Sequence, residues 1–134
     1  DPRYSHYTVE DAHNATYKSV NYYELLGERV NVDSFAVMVR SVARKVYDVD
    51  NSIIESMAKT NEKFSSWQIP VFSYEASVVR NPLELKKGSG IYIATGYSAH
   101  DCVCFIRALL RKYELDIAED FVYSARSTKQ SNEN

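Results

Sequence analysis

Phe35, Met38, Val39, Val42 and Val46 recur at intervals of three and four residues, behind Asp33 and Ser34, either of which is a natural N-cap. Apolar residues at that interval line one side of an α-helix and have to be covered, so the segment predicts an amphipathic helix ending near Asp48. A second stripe of the same period, Val103, Ile106, Leu109, Leu110 and Tyr113, follows Ser98 and Asp101, which are spaced like a capping box with Asp in place of the usual Glu. A length of 134 residues suits one core that both stripes can share, and the segments around them supply a sheet.

Residues 17–26 are rich in β-forming aromatics, and Gly27-Glu28 separates them from Arg29 to Val32, the pattern of a short hairpin with glycine at a position needing positive φ. Asp50 can cap a shorter helix through about Lys59, with Ile53, Ile54 and Met57 on its buried side. Residues 60–66 read as a loop. Trp67 to Tyr74 reads as a strand that Pro70 confines to an edge, and Ala76 to Arg80 extends or pairs with it. Asn81-Pro82 and residues 86–90 mark turns, Ile91 to Thr95 a short strand, and Phe121 to Tyr123 a last one. The expected fold is α+β, a small, mainly antiparallel sheet packed against two long helices and one short helix. Residues 1–15 lack an apolar period and read as a loosely ordered segment or linker, residues 16–124 as a single domain, and residues 125–134 as a polar disordered tail. The whole is read as part of a longer chain.

With 45% hydrophobic and 25% charged residues the chain is expected to fold, and its formal charge of −2 gives no global attraction to phosphate backbones. No apolar run approaches the roughly 18 residues of a membrane span and no basic segment with an apolar run opens the chain, which points to a cytoplasmic protein without a membrane partner. Cys102 and Cys104 diverge by about 200° around a helix, so no disulfide is expected between them. A metal site at His100, Cys102 and Cys104 is not expected either, because these three cannot share one helix face. The only other histidines are His6 and His13, and no phosphate loop, nucleophile elbow or metal-binding helix motif is present. The sequence therefore reads as noncatalytic, with no cofactor.

An aromatic strand and Gly turn over residues 22–32, a helix opening near Phe35, Val71-Phe72-Ser73, Leu85, and the run Gly90-Ile91-Tyr92-Ile93-Ala94-Thr95-Gly96-Tyr97-Ser98-Ala99 follow one another. This order resembles the C-terminal module of uncharacterised bacterial proteins whose N-terminal part is a ParB-like, type IV restriction-like nuclease domain. Where that family often has a basic stretch before Phe-Ser, this chain has Ser65-Ser66-Trp67-Gln68-Ile69-Pro70, which weakens a phosphate-binding role for the strand. The resemblance implies a noncatalytic accessory domain of a restriction-like or DNA-processing protein.

Residues 95–100 form the most informative junction. A helix N-terminus presents unpaired N–H groups, and Gly96 permits close approach, so Thr95, Gly96, Tyr97, Ser98 and His100 are candidate anion or phosphate ligands, helped by Lys86 and Lys87. The competing reading, and the commoner one, is that Ser98 and Asp101 satisfy those donors themselves. Arg40, Arg44, Lys45, Arg107, Arg111 and Lys112 are candidate nucleic-acid contacts on charged helix faces, which are usually only solvated. Eleven tyrosines and Trp67 leave a second function open, a module that binds another protein, a further domain of its own chain, or a second copy of itself.

Overall fold

The structure, a computed structural model, describes residues 2–128. Over these residues the fold is α+β, with three α-helices and seven short strands in two antiparallel sheets. The chain divides into two compact units, residues 1–39 with 97–134, and residues 40–96.

The first unit is built on β1 (Ser5–Tyr7), β2 (Lys18–Leu25), β3 (Glu28–Asn31) and β7 (Phe121–Ser127), in the order β1-β7-β2-β3. The β2–β3 hairpin turns at Leu26 and Gly27, both at positive φ, one residue before the expected Gly27-Glu28 separator, and Glu28 already pairs with Leu25. Strand alternation sends Tyr23, Leu25, Phe121, Tyr123 and Ala125 into the core, where the rings of Tyr23 and Phe121 stack and that of Phe35 meets Tyr123 edge-on. Helix α3 (Ala99–Lys112) buries Cys102, Val103, Phe105, Ile106, Leu109 and Leu110. Ser98 caps it, its Oγ accepting the Asp101 N–H.

Two sequence expectations fail in this unit. Residues 5–15, read as loose, form β1 and a 3₁₀ turn at His13–Ala15, with Val9, Ala12 and Ala15 buried. Three small apolar residues at intervals of three anchor them, a signal too sparse to stand out as a helical or strand period. Residues 125–127, assigned to the tail, complete β7 instead, because pairing with β1 and β2 satisfies their backbone whatever the polarity of their side chains. Thr128, next along, donates its N–H and its hydroxyl to Tyr17 O, and residues 129–134 of that expected tail lie outside the described residues.

In the second unit, α2 (Asn51–Thr60) starts at the Asp50 cap, whose carboxylate accepts the Ser52 N–H and is held below its ordinary pKa by bonds from Ser52. It stops at Asn61, which takes the left-handed conformation and returns its N–H to Met57 O. The Asn61 side chain accepts a 2.6 Å bond from the Ser73 hydroxyl, which satisfies a buried polar group. The small sheet here is β4 (Phe72–Ser73), β5 (Leu83–Glu84) and β6 (Tyr92–Ile93), in the order β4-β6-β5. The strand expected over 67–74 is thus confined to Phe72–Ser73 on an edge: Trp67 N–H turns back to Phe64 O, and Pro70 has no N–H to offer a ladder. Residues 76–78 form a 3₁₀ turn rather than extending that strand. Helix α1 (Phe35–Val49) runs through the division between the units, and its Arg44 Nε donates to Leu85 O within the second. Among the described residues no helix is long and apolar enough to cross a membrane.

Candidate ligand site on the polar face of the four-stranded sheet

Cross-strand pairing sets His6 opposite Ser124, Ser124 opposite Tyr22 and Tyr22 opposite Asn31. These four side chains therefore stand in one row across all four strands, on the face opposite the core. Two residues along each strand, Tyr4, Arg126, Glu24 and Arg29 continue the same face. A hollow of about 460 Å³ lies there, lined by Tyr4, His6, Asn21, Tyr22, Arg29, Asn31 and Ser124.

The parts are held in fixed relation. Arg29 places its guanidinium 3.9 Å over the Tyr22 ring, and Nε and Nη2 both donate to Glu24 Oε2, at 3.0 and 2.8 Å. That pairing raises the Arg29 pKa above its ordinary value. Tyr22 OH and His6 Nε2 are 2.6 Å apart. Arg126 sits over the Tyr4 ring at 6.0 Å, a looser repeat of the same cation and aromatic arrangement.

Asn21 enters the hollow through an irregularity of the sheet. The register between β2 and β7 shifts between Val20 and Tyr22, leaving Asn21 as an extra residue in a β-bulge, while its backbone carbonyl accepts the Val32 N–H. Its Oδ1 is buried and has no hydrogen-bond partner among the described residues. An orphaned acceptor beside a stacked aromatic and planar cation suits a ligand that brings a flat ring and an N–H donor. No motif announced this site: Tyr22 and His6 are individually ordinary, and the bulge depends on long-range pairing.

The residues singled out by sequence are distributed otherwise. Thr95 Oγ1 donates to Asn81 O at 2.6 Å, and Gly96 adopts φ +88° against Asn81, both in the second unit. Tyr97, Ser98 and His100 belong to the first unit: Tyr97 packs edge-on to Phe105, Ser98 caps α3, and His100 Nδ1 is 3.1 Å from Asp101 Oδ1. Lys86 pairs with Asp48, and Lys87 is exposed in the 86–90 turn. Arg44 is bonded to Leu85 O, Arg40 and Lys45 are half-buried, and Arg107 bonds the carbonyls of Val9 and Glu10. Arg111 and Lys112 are exposed in the last turn of α3, where cations suit the helix dipole.

A methyl group at residue 96 would fall 2.5 Å from Asn81 Nδ2 on a backbone that already disfavours side chains. Gly96→Ala is therefore expected to cost about 1–2 kcal/mol in urea unfolding, and an unchanged midpoint would show that this turn relaxes freely.

No family model matches the chain, and no curated protein and no solved structure matches it either.

Proposed function

We propose that the chain is a noncatalytic recognition module that binds single-stranded nucleic acid on the polar face of its four-stranded sheet. The observation that carries the reading is the row His6, Ser124, Tyr22 and Asn31, with Arg29 stacked on Tyr22 and Arg126 over Tyr4. Unpaired bases stack on aromatic and guanidinium planes, and side-chain amides read their edges. Such a platform works without a basic protein overall, which accords with the formal charge of −2. The resemblance of residues 90–99 and their surroundings to an accessory module of restriction-like proteins supports a place in a larger, cytoplasmic DNA-processing protein.

A second reading, a module that binds another protein or a second copy of itself, is favoured by the exposure of Val49, Ile69, Tyr74 and Leu83 in the second unit. One experiment separates the two. Fluorescence anisotropy with short single-stranded and duplex DNA and RNA at two salt concentrations is expected to show binding of single strands that Tyr22→Ala weakens about 5- to 100-fold. Equal loss on Arg111→Glu with none on Tyr22→Ala would move the contact off the sheet. No binding, together with concentration-dependent mass in sedimentation, is what the second reading expects.

A further inference from the structure

The first turn of α3 brings together three side chains of metal-binding chemistry. His100 and Cys104 are four residues apart and so share a face, and Asp101 stands three before Cys104. His100 Nδ1 is 3.1 Å from Asp101 Oδ1 and 3.9 Å from Cys104 Sγ, and one ligand atom from each residue lies within 4.8 Å of the other two. His100, Cys102 and Cys104 do not converge as a set, because the buried Cys102 thiol donates to Tyr97 O; His100 and Cys104, one turn apart, do meet.

A fourth group comes from outside the helix. The His13 ring, in the 3₁₀ turn, lies with its centroid 5.2 Å from that of His100, tilted by 48°. Two imidazoles bound to one tetrahedral zinc ion put their centroids roughly 5 Å apart, and its ligand atoms stand roughly 3.2–3.8 Å from one another. The 5.2 Å separation of the His13 and His100 ring centroids matches the first of these spacings, and His13 is the neighbour placed to complete the three-residue cluster. His13 is kept in place from both sides: its N–H donates to Asp11 Oδ1, and Arg107 Nη1 clamps the carbonyls of Val9 and Glu10 to α3. Arg107 Nη2 also donates to Cys104 Sγ at 3.5 Å, a bond from outside the ligand set that orients the sulfur.

We propose that His13, His100, Asp101 and Cys104 form a site for one divalent transition-metal ion of the zinc class. Two neutral imidazoles, a carboxylate and a thiolate balance the ion's charge, and the thiol proton of Cys104 leaves to solvent on binding. The His100 and Asp101 side chains are 40% and 50% exposed, so the ion has a path in. Imidazole and thiolate together select zinc and cobalt over magnesium or calcium.

Cobalt(II) titration of the untagged chain tests this, because a sulfur-to-cobalt charge-transfer band reports thiolate ligation directly. The expected result is a band saturating at one ion per chain, abolished by Cys104→Ser and kept by Cys102→Ser, with zinc displacing the cobalt. His100→Ala and His13→Ala are each expected to weaken binding about 10-fold or more, with far-ultraviolet circular dichroism unchanged. No band, a band that survives Cys104→Ser, or unchanged affinity in His13→Ala overturns the four-ligand site.

Discussion

Phe105→Ala is expected to lower the unfolding free energy by about 3–5 kcal/mol, the cost of emptying a fully packed aromatic site. Phe105 has no exposed surface, and the Tyr97 ring meets it edge-on, so the truncation removes both apolar burial and an aromatic contact. A domain of this size has about 5–15 kcal/mol in all, so the variant should sit close to its unfolding transition at room temperature. Urea titration followed by circular dichroism measures the change. Arg111→Ala, on the exposed side of the same helix, is the reference and should shift stability by less than about 0.5 kcal/mol. A Phe105→Ala loss as small as the reference would mean that α3 is not a core element.

The second large effect appears at alkaline pH. Tyr123 is fully buried between Tyr7 and Phe35, and its hydroxyl has no hydrogen-bond partner among the described residues. Burial, with smaller contributions from Tyr7 and Asp11, pushes its pKa up to about 12. An unfolded tyrosine ionises near pH 10, so below about pH 10 the group is protonated in both states and contributes no pH dependence. Between about pH 10 and about pH 12 the unfolded chain loses this proton and the folded chain keeps it. Stability therefore falls as pH rises, by about 2–3 kcal/mol over that window. Tyr123→Phe removes the effect and, by deleting an unpartnered buried hydroxyl, is expected to gain about 1 kcal/mol at neutral pH. Urea midpoints of both proteins from about pH 8 to about pH 12 should diverge above about pH 10; parallel curves would show that the hydroxyl is solvated.

The helices were legible because each carries its own signal. The apolar periods of α1 and α3, the Asp50 and Ser98 caps and the Gly27 turn act within a few residues and survive intact in the structure. What escaped depends on partners far along the chain. Nothing in Ser5-His6-Tyr7 marks a strand until β7 is beside it, and Ala125 to Ser127 read as tail until β1 and β2 flank them. The candidate ligand site is of that second kind, since its row of side chains exists only in the assembled sheet. The His13 and His100 rings are likewise 87 positions apart in the sequence (100 − 13) and are joined by the turn that Arg107 clamps.

The strand order also dictates when the first unit can form. β7 lies between β1 and β2, so the N-terminal strand and the early hairpin have no ladder to each other and both wait for residues 121–127. The second unit, by contrast, is one continuous stretch, 40–96, whose contacts can be made before β7 leaves the ribosome. Until then β2 keeps an open hydrogen-bonding edge beside buried-type aromatics, the condition under which chains pair with the wrong neighbour. Pairing between strands so far apart in the sequence raises the share of non-local contacts in the unit that carries both sites, the property that slows folding.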